Sequence, residues 1–467
     1  MDEKRNKAVL PLVLLAQFII IFMVTALFVL VPVVEQTFNV QADQVCWIEI
    51  GYLLTLSAFS IPFGRISDLV GRRKILLLGL VFFGVISFMC MYAYTIQLLI
   101  ILRTVQGVAA AMIMSAANAI LIEAYPAHRR GSVLGISACF SFLGTIIGQT
   151  VGNYLNNYFR WQSAFLVAAI LAAAAIVLCI AGLEPDEIRR GENNIDSRGV
   201  ILLVVGIALI LLSLSMLPSI IATLVFLTVG ISLLILFLRY EKHSDNPLIK
   251  PGIIADRIFI LTNGSVMLCY AASLTLICLI GAYLYKAHLY NMNSANSGSL
   301  ITLLIWFCLA AAVAAPIAGI WSDRRPLNHM SSSAMVISMV SCVMCFFLTK
   351  TPSVCFVSVL LLLAGAGSGV FAPVVSRVVF SRVKQTEDGI ANSILNTSYS
   401  VGRALCMIIL SIVFSNRVIY LYDIRAVGDS LLTVIRVAAV VTLVLYGAAA
   451  FLSLKRERLE AKERSVR

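Results

Sequence analysis

Long apolar runs constrain this chain more than any other feature. A helix needs about 20 mostly apolar residues to cross a bilayer. Fourteen such runs can be read, at 10–34, 46–68, 74–94, 97–122, 131–155, 161–183, 199–217, 220–239, 257–286, 297–321, 330–349, 353–376, 389–416 and 431–454. Taken as one helix, 199–239 would measure about 60 Å, twice the hydrocarbon thickness. A tight hairpin at Leu217-Pro218-Ser219 therefore divides it. The first run is too long for a signal-peptide core and lacks a small-residue cleavage site, so it is expected to be a retained span.

Only 12% of the residues are charged, about half the share in a soluble domain. That excludes a soluble enzyme, a disordered chain and a coiled coil. The net charge of +12 would suggest nucleic acid in a soluble protein. Here the distribution of Lys and Arg explains it. With the N-terminus inside, 27 of the 35 fall on the cytoplasmic side, 6 outside, and Arg103 and Arg403 inside spans. This asymmetry puts both termini in the cytoplasm and leaves no role for nucleic acid. The eleven cysteines, most of them within apolar runs, read as small buried hydrophobes, and no metal site or cofactor is implied.

The chain repeats itself. Gly64-Arg-Ile-Ser-Asp68 follows the second run, and Gly319-Ile-Trp-Ser-Asp323-Arg324-Arg325 follows the tenth. The fourth and twelfth runs each lead through a short polar loop to a glycine, Gly131 and Gly389. The expected organisation is an all-α membrane protein with a six-span half over 1–198, two inserted spans over 199–240, and a second six-span half over 241–467. Two parallel six-span repeats describe the major facilitator architecture.

Gly64-Arg-Ile-Ser-Asp68-Leu-Val-Gly71-Arg72-Arg73-Lys74 resembles the signature loop of the major facilitator superfamily, G-x-L-A-D-R-x-G-R-K/R, with Leu69 in place of the usual arginine. Leu102-Arg103-Thr-Val-Gln106-Gly107 resembles its R-x-x-Q-G motif, which the family uses in proton coupling. Gly144, Gly148 and Gly152 resemble the antiporter motif, although regular glycines also serve close helix packing. Leu363 through Pro373, and Gly389 through Asn396, resemble spans 12 and 13 of the fourteen-span drug:proton antiporters. The first span departs from that branch: Met23 stands where an aspartate is usual and Phe28 where an asparagine is, while Thr25 is kept.

The resemblance implies a secondary transporter in the cell membrane, with spans 1, 4, 9 and 12 around a central cavity and spans 7 and 8 at the edge. Proton-coupled export of small amphipathic organic compounds is the expected function. A proton-independent facilitator or importer of a metabolite or lipid is the alternative, supported by the missing aspartate. Partners are then a small-molecule substrate, protons and the lipid bilayer, with the protein acting as a monomer. No H-E-x-x-H, G-x-S-x-G or phosphate loop points to an enzyme.

Site residues follow from cost, because ionisable groups inside a bilayer are expensive. Gly64, Asp68, Gly71, Arg72, Arg73, Asp323 and Arg324 are expected to form a cytoplasmic latch. Glu123, at the end of span 4, reads as an interfacial structural group. Glu49 and Arg103 start about 5 and 9 Å below the outer surface at about 1.5 Å per residue, and with Gln106 they are the proton-coupling candidates. Glu49 reads either as an interfacial carboxylate beside Trp47 and Tyr52 or as a titratable group facing the cavity. Gln17, Thr25, Asn118, Asn263, Asn396 and Arg403 are candidate cavity residues, with a buried structural pair as the alternative reading of Arg403.

Overall fold

The computed structural model describes residues 3–40, 42–184, 196–215, 220–244, 247–290, 301–324, 329–349, 353–415 and 429–466. They form helices α1 (Glu3–Phe38), α2 (Ala42–Val70), α3 (Arg72–Met91), α4 (Ile96–Ala124), α5 (Arg130–Tyr158), α6 (Ser163–Gly182), α7 (Ser197–Ser215) and α8 (Ile220–Glu241). These are followed by α9 (Pro251–Ala255), α10 (Arg257–Tyr290), α11 (Ile305–Arg324), α12 (Met330–Met344), α13 (Val354–Ser381), α14 (Asp388–Ser415) and α15 (Asp429–Val466). The expected hairpin at 217–219, the start of the tenth run at 297–300 and Arg325 lie outside the described residues.

Among the described residues, twelve helices are long and apolar enough to cross a membrane. The fourteen expected spans therefore stand at twelve by this measure. Of the other two, α7 offers a shorter apolar stretch, Ser197–Ser213, and α14 is 28 residues long. Large apolar side chains such as Phe82, Val85, Ile170 and Val177 face outward, as helices in lipid require.

One core cluster joins α1 to α6, from Val9 to Cys179. A second joins α10 to α15 and takes in Leu203 and Ile207 of α7 and Phe237 of α8. The two meet where α2 packs on α14 and α5 on α11. Helix α7 leans on α2 and α14, and α8 packs on α7. The pair thus lies beside the seam between the two clusters.

Glycines set how closely these helices approach. At the α5–α11 crossing, a Cβ on Gly135 would stand 2.6 Å from the Ala315 carbonyl oxygen. Along α5, a Cβ on Gly144 would touch Ile21 and Phe18 at 3.4 Å, on Gly148 would meet the Phe22 carbonyl oxygen at 2.7 Å, and on Gly152 would meet Ala26 at 3.0 Å. The glycine stripe is thus the surface on which α1 lies. Gly71 has φ 122°, a conformation open to glycine, and turns α2 into α3.

Candidate functional site

Three polar groups are built into this apolar frame. The first closes one end of the bundle. Asp68, in the last turn of α2, accepts hydrogen bonds from the backbone N–H groups of Gly389 and Ile390, each at 3.1 Å. These donors are the free N–H groups of the first turn of α14, where a negative charge is favoured. Arg72 donates to Asp68 from Nε at 3.1 Å and Nη2 at 2.9 Å. It also donates to Glu123 at 3.1 Å and to the Gln385 carbonyl at 2.6 Å, and it stands 3.7 Å from Asp388. One guanidinium therefore ties α2, α4 and α14 together.

The same device recurs across the seam. Asp323, at the end of α11, accepts from the N–H groups of Gly131 at 2.8 Å and Ser132 at 2.7 Å, and from the Ser132 hydroxyl at 2.5 Å. Its ion partner is Arg377 of α13 at 3.7 Å. Arg324, expected in this group, is exposed. Arg73 turns away from the seam and donates to the Ile180 carbonyl of α6 at 3.3 Å. Glu123, Gln385, Asp388 and Arg377 were not singled out as latch residues, because they reach the group only through helix docking.

The second group lies between α2 and α4. Glu49 accepts from Arg103 Nη2 at 2.9 Å. Arg103 Nη1 donates to Gln106 at 2.6 Å, and Gln106 donates to the Ser87 hydroxyl at 2.6 Å. The Arg103 guanidinium stands 4.1 Å above the Tyr52 ring. Arg103 and Gln106 are fully buried, whereas the Glu49 side chain keeps 21% exposure. Glu49 Oε1 is buried with no hydrogen-bond partner among the described residues, so the carboxylate is held by Arg103 through Oε2 alone. The expected depths coincide, and the side chains meet.

The third feature is a cavity of about 230 Å³ lined from α1, α2, α4, α5, α10, α11, α13 and α14. The expected four lining helices are among these eight, and α3, α6, α12 and α15 contribute none of its lining residues. Gln17, Asn118, Asn396 and Arg403 line it. Gln17 donates to Asn118 at 2.7 Å, Ser137 donates to Gln17 at 2.5 Å, and Asn118 donates to Asn392 at 3.2 Å. This chain of amides crosses the seam.

Two expected cavity residues sit elsewhere. Thr25 donates to the Ile21 carbonyl at 2.9 Å and packs under Gly148 at the α1–α5 crossing. Asn263 donates to the Phe259 carbonyl at 3.0 Å and accepts from Ser398 at 3.1 Å, between α10 and α14. In both, a polar side chain satisfies itself on its own helix backbone, which an apolar run with one polar residue does not reveal.

A two-fold bundle, a central cavity and charged groups bridging the two clusters define a membrane transport protein. The family model of the Major Facilitator Superfamily matches residues 13–245 and 263–466, and the chain belongs to that superfamily of transporters. It is 25% identical over 392 residues to the riboflavin transporter RibZ of Clostridioides difficile (strain 630), covering 83% of this chain and 84% of that protein. It is 24% identical to the multidrug resistance protein Stp of Mycobacterium tuberculosis, covering 83% and 72%. The structure superposes on the human organic anion transporter MFSD10 (TETRAN) with a TM-score of 0.66 at 16% identity, over 97% of this chain and 100% of that one. It superposes on the proton:xylose symporter XylE with a TM-score of 0.63 at 14% identity, over 95% of each. At these identities the two structures speak for the fold alone.

Proposed function

We propose that this transporter exports small amphipathic organic compounds in exchange for protons, with the cavity as substrate site and Glu49–Arg103 as the proton-handling pair. The observation that carries the reading is the pair itself. A carboxylate with one buried oxygen left without a hydrogen-bond partner among the described residues is bound through the other to a fully buried guanidinium. Protonating Glu49 leaves that guanidinium with a weaker partner and biases the packing of α2 on α4. A mainly apolar cavity with a few polar groups suits broad recognition of organic molecules.

In this reading the fold has fourteen spans, α7 and α14 completing the twelve, as in the fourteen-span antiporter branch. Its units are 1–198, 199–240 and 241–467. The protein sits in the cell membrane as a monomer with both termini and both aspartate caps on the cytoplasmic side. The 27 to 6 split of Lys and Arg supports that orientation.

Inverted vesicles holding an acid interior test the coupling. Adding a transported compound outside should discharge part of the pH gradient, and Glu49→Gln should abolish the discharge. Transport of the compound with no change in the gradient would favour the facilitator reading. That second reading has its own support in α1: Met23, where the branch carries a carboxylate, is fully buried and apolar.

A further inference from the structure

The cavity holds one guanidinium and no carboxylate. Of the residues that line it, Arg403 alone is charged, and the others are apolar groups, hydroxyls, amides and a thiol. Glu49, which does not line the cavity, is already bound to Arg103 at 2.9 Å. Arg403 makes no ion pair among the described residues, and its buried Nε has no hydrogen-bond partner among them. A cation at membrane depth is costly and normally pairs. Arg403 lines the cavity, and Glu49 acts on it only at a distance, without an ion pair.

Beside it stands an aromatic surface. The Arg403 guanidinium carbon is 5.7 Å from the centre of the Tyr270 ring, and the Tyr270 and Tyr399 rings meet at 5.0 Å, tilted by 57°. We infer that the cavity selects planar aromatic anions, in which a carboxylate or sulfonate sits at the edge of a fused ring. The guanidinium fork matches two anion oxygens. The tyrosine rings take the flat ring in offset or edge contact. A cation of the same size could approach the same rings, but it would meet Arg403 as a like charge in a site of low polarity. Discrimination here comes from repulsion as much as from attraction.

This inference rests on the cavity being the substrate site and goes further by fixing the sign of the charge. The probes are 2-naphthoate and N-methylquinolinium, two-ring fluorescent molecules of similar size and opposite charge, titrated against the purified full chain. The wild type should bind 2-naphthoate at least tenfold more tightly. Arg403→Gln should lose about tenfold for 2-naphthoate and bind N-methylquinolinium more tightly than the wild type does. Arg403→Lys should recover part of the loss, which a merely structural arginine would not give in an anion-specific way. Ala372→Trp, which fills the cavity from α13, should abolish binding. Tighter binding of N-methylquinolinium that Ala372→Trp abolishes would overturn the charge selectivity and leave the cavity reading standing. Binding that survives Ala372→Trp would overturn both. Failure of 2-naphthoate to bind would overturn this inference.

Discussion

Asp68 and Asp323 each cap a helix that belongs to the other core cluster. Asp68 of α2 accepts from the first turn of α14, and Asp323 of α11 accepts from the first turn of α5. The arrangement is reciprocal, so neither cluster can swing away at this end without uncapping a helix. A negative charge at a helix N-terminus is worth about 0.3–1 kcal/mol when exposed and up to about 2 kcal/mol when partly buried. Two such caps are strong enough to bias a two-state equilibrium of a few kcal/mol and weak enough to break in each cycle.

Replacing the capping carboxylates should therefore slow transport without removing the protein. Asp68→Asn keeps the shape but takes from Arg72 the partner it binds through two nitrogens. Asp323→Asn loses a contact of 3.7 Å to the half-exposed Arg377, a smaller matter. The expected result is a fall of about tenfold for Asp68→Asn and severalfold for Asp323→Asn, since losing the negative charge at a helix N-terminus costs about 0.3–2 kcal/mol and breaking a buried charge pair more. Initial rates normalised to membrane abundance measure it. An Asp323→Asn effect larger than that of Asp68→Asn would contradict the ranking.

The closed end also depends on glycine. A Cβ on Gly389 would lie 2.7 Å from Asp68 Oδ1 and from Ser67 Oγ, and 2.8 Å from the Gly64 carbonyl oxygen. No rotamer relieves a clash with backbone, so α2 and α14 must separate. Gly389→Ala should expose the buried Ser393 position on α14. Alkylation of Ser393→Cys should rise about fivefold or more in the Gly389→Ala background, against a rate set by local opening in the parent. Equal protection in both would show that the crossing absorbs the methyl group.

Much of this was legible in the sequence. Apolar runs of bilayer length gave most of the helices, and G-x-x-S-D at Asp68 and Asp323 marked the repeat. The depth of Glu49 and Arg103 followed from the helix rise, but their meeting depends on helix rotation. Gly51 and Gly107 set that rotation: a Cβ on Gly107 would run into Tyr52 and Thr55, and one on Gly51 into Thr104. Small residues facing each other on α2 and α4 were the missed signal. Asn392 and Asp388 act across the seam, and no local pattern reports on docking. Arg456 lies past the last apolar run, 431–454, yet α15 continues through it along α12 and buries it fully.

That buried tail charge makes a stability prediction. Arg456 donates to the Ser331 hydroxyl at 2.7 Å and to Glu457 at 3.2 Å, and Glu457 also accepts from Ser331 at 2.8 Å and Ser332 at 3.0 Å. Arg456 also stands 3.5 Å from Glu460, so losing Glu457 leaves the arginine one weaker carboxylate partner, at less than the cost of about 3–5 kcal/mol for a fully stranded buried charge. Glu457→Leu should lower the thermal unfolding midpoint of the purified protein clearly. Arg456→Met combined with Glu457→Leu and Glu460→Gln should recover most of the loss, because all three charges of the group are then removed together. A triple variant as unstable as the single one would show that Arg456 has a separate role.

The Glu49–Arg103 pair separates coupling from binding. Glu49→Gln keeps an oxygen for Arg103 Nη2 but removes both the charge and the titrating group, while Arg103 retains Gln106 at 2.6 Å and the Tyr52 ring. The pair lies between α2 and α4, and neither residue is among those lining the cavity. Substrate affinity should therefore change by less than about threefold, within about 0.7 kcal/mol. Uptake into inverted vesicles should lose its dependence on an imposed pH gradient and fall to the rate of simple exchange. Arg103→Ala should behave differently. It strands Glu49 and leaves Gln106 short of a partner, so abundance should drop together with activity. If Glu49→Gln remains fully gradient-driven, the carboxylate only anchors Arg103, and the proton-handling role must lie with another group.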